Sequence, residues 1–150
     1  MATFDAFIKI DGIPGESNSS KHKDEIEVLS YSWGIKHTGS IGGGGGGAGQ
    51  PQVSDFTFLK EVGAASPALF LSVCEGKHIE EAVFTASGAS GPRGRLAFYK
   101  LTFSDLFVSS VSPASSGNDV PSEQVSLSFS KVEIEYQDER GRNKLSSCNF

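Results

Sequence analysis

Histidines 22, 37 and 78 are the side chains best suited to bind a metal or relay a proton, but they lie far apart and form no helical pair with ligand spacing. A metal site would have to be assembled entirely by the fold, and none is expected. Gly42, Gly44 and Gly47 formally satisfy a dinucleotide fingerprint. Any glycine run does so, and here no βαβ strand precedes and no helix follows. There is no Gly-x-x-x-x-Gly-Lys-Ser/Thr phosphate loop, and no Gly-x-Ser-x-Gly elbow to activate a serine.

Carboxylates are numerous, yet Glu25, Glu27, Glu133 and Glu135 alternate along extended segments, as solvent-facing or interface charges do. Nothing in their spacing marks an acid/base couple. Cys74 and Cys148 permit at most one internal disulfide, too few for a stapled secreted mini-domain, and are expected to be reduced thiols. Asn18-Ser19-Ser20 fits a glycosylation acceptor, which has no meaning without a secretory route. The expectation is therefore a protein that is not an enzyme and needs no cofactor.

One polar pattern does stand out. Ser126, Ser128 and Ser130 form a row of small hydroxyls alternating with Val125, Leu127 and Phe129, and Ser30 and Ser32 repeat the arrangement earlier in the chain. Such a face is wet and nearly uncharged. It is either an ordinary solvent-facing sheet surface or a smooth polar wall.

Strands must carry these rows, because apolar residues recur at every second position almost throughout and the breaks are rich in Gly, Pro, Ser and Asn. Phe4, Ala6, Ile8 and Ile10 share one face, closed by a turn at 11–15. From Glu25 to Ile35 both faces are substantially apolar, through Ile26 and Val28 on one side and Leu29, Tyr31 and Trp33 on the other. Further strands are expected at 53–59, 79–86, 96–111 and 125–136. The apolar register changes within the last of these, which calls for a bulge near Ser130 and Lys131 or a strand that passes from one sheet to another.

A single regular helix is expected, with Ser66 as N-cap, Pro67 at the first helical position, Gly76 as C-terminal cap, and Leu69, Phe70 and Val73 as the buried stripe. Gly42 through Gly47 follow one another without a break, so 38–50 reads as a long glycine-rich loop.

The 150 residues suffice for one domain, 1–150, and the composition supports a real core. A net charge of −5 with no concentrated basic segment argues against nucleic-acid binding. The N-terminus has charges at Asp5 and Lys9 and no signal-peptide pattern, and no apolar run is long enough for a membrane span. The chain is thus expected to be made in the cytoplasm, without membrane insertion, and to need a machine if it is exported.

The stretch Phe7-Ile8-Lys9-Ile10-Asp11-Gly12-Ile13-Pro14-Gly15-Glu16-Ser17, followed by 25–34, resembles the opening of the haemolysin-coregulated protein (Hcp) family of bacterial type VI secretion. Gly76-Lys77-His78, 101–112 and 125–137 agree with it in order. The resemblance implies a compact antiparallel β-barrel with one short flanking α-helix, similar to phage tail-tube subunits. It implies a homo-hexameric ring with a wide channel, stacking of rings into a tube, spike and sheath components as partners, and small effector proteins in the lumen. It also implies export through the type VI machine without a signal peptide.

On this resemblance Ser30, Ser32, Ser126 and Ser128 become candidate lumen-facing residues, and Thr38, Gly39, Gly42, Gly47 and Gln50 belong to the loop that would meet the next ring. Six copies of a −5 subunit carry about −30, so stacking should be sensitive to salt. A fused C-terminal toxin is not expected, and 137–150 reads as a short polar tail. Two other readings share the composition: a monomeric ligand- or protein-binding β-domain, and a tail-tube subunit of a phage-like contractile particle. A hydrolase with carboxylates gathered by the fold is a third.

Overall fold

The computed structural model describes residues 5–37, 51–88, 98–115, 117, 120–138 and 140–150. The strands are β1 (Asp5–Ile10), β2 (Ile26–Glu27), β3 (Ser30–Ser32), β4 (Ile35–His37), β5 (Pro51–Val53), β6 (Phe56–Glu61), β7 (Ile79–Ser87), β8 (Phe98–Ala114), β9 (Ser122–Gln137) and β10 (Asn143–Asn149). The helix α1 (Ser66–Glu75) lies between β6 and β7. All pairings are antiparallel, and the main sheet runs β2-β1-β7-β8-β9-β6-β3, with β10 added to β9. The fold is mainly β with one short helix, as the alternation predicts.

The segment expected as one strand from Glu25 to Ile35 is instead divided among three partners. Val28 N–H donates to Ala6 O at 2.9 Å, on β1, and the next residue, Leu29, donates to Leu59 O at 2.8 Å, on β6. The two ends of the sheet are therefore consecutive in the chain, which is the connectivity a barrel requires. This exchange also explains why both faces looked apolar. Ile26 and Val28 are buried, Tyr31 turns its ring onto Phe56 and Phe84, and Leu29 is left in solvent.

Inward positions alternate as expected on every long strand: Ala6, Ile8 and Ile10; Phe56 and Phe58; Ala82, Phe84 and Ala86; Leu101 and Phe103; Val125, Leu127 and Phe129. Phe7 breaks the alternation on β1 and is still buried, because the His22 ring stacks on its outer face at 4.6 Å. The register change in β9 follows from a strand passing between neighbours. Its first half pairs with β6 through Leu127, and its second half, from Lys131, pairs with β10. At the crossover, Asp105 on β8 adopts φ 51 and its carbonyl accepts the Ser130 hydroxyl at 3.1 Å. The bulge itself lies elsewhere, on β8 between Val108 and Ser110.

Two local expectations at the helix need correction. Ala65, not Ser66, is the N-cap residue, and Ser66 begins the helix with its hydroxyl engaged in the core. Leu69 is fully buried and Val73 partly so, but Phe70 is 64% exposed, and Ser72 takes the inner position. Ser72 is accommodated there because its hydroxyl donates to Ala68 O at 2.9 Å. Gly76 closes the helix at φ 61, in the left-handed region that glycine tolerates.

The segment 137–150, expected as a tail, is a hairpin arm. Asp138 accepts hydrogen bonds from the backbone N–H groups of Arg140 and Arg142 and from the Arg142 guanidinium, which shapes the turn into β10. These donors, the Arg142 backbone first, hold the Asp138 carboxyl below its usual value. The chain ends with Phe150 N–H donating to Ser130 O at 2.7 Å and its ring against Phe129.

The segment from Pro14 to Glu25 folds back on itself just before β2, with Gly15 N–H donating to Asp24 O at 2.8 Å and Ser17 N–H donating to Glu25 O at 3.0 Å. A Cβ on Gly15 would sit 2.6 Å from the carbonyl carbon of Glu25 and 2.7 Å from Ile26 N. Backbone cannot yield there as a flexible side chain would. Gly15→Ala is expected to cost about 1–3 kcal/mol by overpacking, measured as a lower urea midpoint at unchanged m-value.

Candidate functional site

The hydroxyl-bearing positions singled out in the sequence come together on one outer sheet face. Ser32 pairs with Thr57, Thr57 with Ser126, and Ser126 with Ser110, so four hydroxyls form one row across β3, β6, β9 and β8. The next row is Ser30, Leu59, Gln124 and Ser112. Thr57 Oγ1 and Ser126 Oγ are 3.0 Å apart and hydrogen-bonded. Ser128 continues the β9 side of the face, opposite Phe107 on β8.

Neither central row contains a charged side chain. Charges lie at its margins, where Glu61 pairs with Ser122 at one end and Asp55 accepts the Ser109 hydroxyl at 2.6 Å at the other. Ser30 and Ser32 are exposed, whereas Ser126 and Ser128 are half-buried in the sheet. The bulge at Ser109 keeps the face hydroxylated: it leaves Val108 opposite Leu127 on the inner side and brings Ser110 opposite Ser126 on the outer one. The face thus presents many weak, exchangeable hydrogen-bonding groups. It offers neither a nucleophile with a base nor a convergent charge.

Both flanks of this four-stranded face are open among the described residues. β3 has β6 on one side and no strand on the other, and β8 loses β7 after Leu106, so Phe107 to Ala114 pair only with β9. α1 packs against β8 and lies beside that length, since Ser66 at its start bonds Glu123, opposite Pro113, and β7 follows it from Ile79, opposite Leu106. Thr38, Gly39, Gly42, Gly47 and Gln50 lie outside the described residues. Their stem is β4 and β5, paired from Ile35 opposite Val53 to His37 opposite Pro51. Gly34 and Ser54 join this ribbon to the β3–β6 hairpin through Ser54 N–H to Gly34 O at 2.9 Å and Gly34 N–H to Ser54 Oγ at 2.8 Å.

The histidines form no common centre. His22 lies 3.1 Å from Glu25 and His78 lies 3.2 Å from Asp105, and no group of three metal-binding side chains occurs among the described residues. A wide groove beneath the 17–25 segment, on the opposite half of the sheet, mixes Lys9 and Lys100 with Glu25 and Glu135. Charges of both signs are interspersed along it, and His22 pairs with Glu25 at its border.

A buried polar cluster escaped the sequence reading. Lys60 and Glu123 face each other across β6 and β9 at inward positions and form an ion pair. Lys60 Nζ also donates to Glu61 O at 2.9 Å and Ser66 Oγ at 3.1 Å, while Ser66 Oγ donates to Glu123 at 2.6 Å and accepts Gly63 N–H at 3.0 Å. The serine uses its one donor and two acceptors. Parity was the available signal, since Phe56, Phe58 and Lys60 share a face, as do Glu123, Val125 and Leu127. The cluster pins the start of α1 to the end of the sheet.

Residues 7–136 match the family model described as type VI secretion system effector, Hcp. The chain is 39% identical over 138 residues to Protein hcp1 of Pseudomonas aeruginosa, covering 91% of this chain and 85% of that protein. It superposes with a TM-score of 0.80 on the crystal structure of Hcp1 from Salmonella typhimurium, at 38% identity, over 100% of this chain and 96% of that one. A type VI secretion system effector from Yersinia pestis gives 0.78 at 31% identity, over 97% and 100%.

Proposed function

This chain belongs to the Hcp family of type VI secretion system effectors, and from that premise we propose that it is the subunit of the system's inner tube. The family is secreted, structural and non-enzymatic, and it forms hexameric rings. In our reading, six copies close into a ring, rings stack, sheath and spike components expel the stack, and small effector proteins travel in the channel. Before assembly the subunit resides in the cytoplasm.

The observation that carries this reading is the four-stranded hydroxyl face with no further strand, among the described residues, beyond β3 on one flank or beyond the second half of β8 on the other. Unpaired edges invite addition of further strands, and identical subunits joined head to tail through two unlike edges close into a ring. A wall of small hydroxyls suits passage of proteins of varied sequence, since fixed charges would hold some cargo and repel the rest. In this arrangement Ser30, Ser32, Ser126 and Ser128 line the channel, and 38–50, carried on the β4–β5 stem, faces the neighbouring ring.

Negative-stain electron microscopy with light scattering of the purified, reduced protein tests the assembly: six-fold rings with an open centre are expected. A monodisperse monomer across concentration and salt overturns it. Ser32→Gln is then expected to leave rings intact and reduce co-purified effector about tenfold, a loss of roughly 1.4 kcal/mol in binding. Unchanged retention removes Ser32 from the wall.

A further inference from the structure

The helix α1 has apolar side chains on both of its long faces. Leu69 and Val73 pack on the core, and Pro67, Phe70, Leu71 and Cys74, at positions i, i+3, i+4 and i+7, form a second stripe pointing outward. Phe70 is 64% and Leu71 53% exposed, and Pro67 and Cys74 are also exposed. A helix apolar all round is ordinarily covered on both sides. Single exposed apolar residues are common, but a contiguous stripe marks an interaction surface.

The position of the stripe indicates its occupant. α1 runs against β8, whose far half has no second strand among the described residues, so the helix and that strand edge together make one flank of the hydroxyl face. The other flank is the edge of β3, which has no further strand among the described residues and is entered by Leu29, itself exposed at 53%. Closing a ring of identical subunits brings unlike flanks together. A neighbour that reaches the open edge of β8 reaches α1 as well, so an outside protein on the stripe would have to displace it.

We infer that Pro67, Phe70, Leu71 and Cys74 form the apolar half of the joint between ring neighbours, seated against the β3 flank of a second copy of this chain. The inference rests on the ring reading and names the surface that closes the ring.

Phe70→Ser combined with Leu71→Ser tests it, because neither side chain packs in the subunit core. Mass photometry at a fixed protein concentration is expected to show at least a tenfold loss of hexamer, with the far-UV spectrum unchanged. The native Cys74 thiol supplies a measurement free of folding artefacts. In Cys148→Ser protein, maleimide labelling of Cys74 should be at least tenfold slower in rings than in subunits dissociated by dilution. Rings of undiminished stability in the double variant, or Cys74 equally reactive in rings and free subunits, would place the stripe on the outer wall and overturn the inference. Absence of rings in the unaltered protein would instead remove the ring reading beneath it.

Discussion

Lys60→Met is expected to destabilise the subunit by about 3–5 kcal/mol, whereas Lys60→Met combined with Glu123→Leu should return it to within about 1 kcal/mol of the starting protein. The reason is the difference between a missing pair and a missing partner. In the intact protein the lysine and glutamate are each almost wholly buried and satisfy one another, with Ser66 filling the remaining hydrogen-bonding capacity. Removing the ammonium alone leaves the Glu123 carboxylate in a low-dielectric site with a single hydroxyl donor. Removing both leaves Ser66 still accepting Gly63 N–H and fills the space with apolar atoms.

Thermal unfolding at one fixed protein concentration gives the measurement, since assembly makes the midpoint concentration-dependent. For a domain of this size the single variant should melt roughly 10 °C lower. A single variant within 1 kcal/mol of the parent would show that the pair is dispensable. A double variant as unstable as the single one would show that α1 needs the charges themselves to dock.

This pair also marks how far the sequence was legible. Alternation identified the inward faces of nearly every strand, because a side chain's face is a local property of period two. Lys60 and Glu123 obey that parity but lie just outside the strands expected at 53–59 and 125–136, so they are not read as part of either face. What alternation does not encode is which strand lies beside which. The exchange of partners between Val28 and Leu29 depends on β1 and β6, whose pairings lie about twenty to thirty residues away along the chain, so the segment read as one strand.

Edges were harder for a related reason. Asn143 to Asn149 lies beyond the core, with nearly every residue exposed, so it shows no apolar alternation and resembled a tail. Phe70 was assigned inward because a helix apolar on both faces gives no contrast from which to choose. The serine rows, by contrast, were visible one strand at a time. Only the register of β3, β6, β9 and β8 shows that they are a single surface, and that Thr57 and Ser110 belong to it.

Phe56→Ala should be as damaging to the subunit as Lys60→Met, at about 3–5 kcal/mol, and more damaging to assembly. Phe56 is fully buried at the centre of an aromatic cluster, with ring centroids 5.1 Å from Phe84, 4.9 Å from Phe103 and 6.0 Å from both Phe58 and Tyr31. Its removal deletes transfer energy, leaves a cavity and undoes several ring contacts, each worth roughly 0.5–1.5 kcal/mol beyond area burial.

The link to function runs through Tyr31, which is the inward residue of β3 and sits between Ser30 and Ser32. Among the described residues β3 has β6 as its one strand partner, so Tyr31 packing on Phe56 and Phe84 is what ties its inner face to the core. With Phe56 gone, β3 should loosen before the rest of the sheet. Hydrogen exchange is expected to show lost protection at 30–32 while β7 and β8 remain protected, and hexamer should fall at concentrations where the subunit is still folded. Uniform loss of protection across all strands would mean that β3 is no weaker than the sheet it borders, and the open flank would then be held by something other than this aromatic contact.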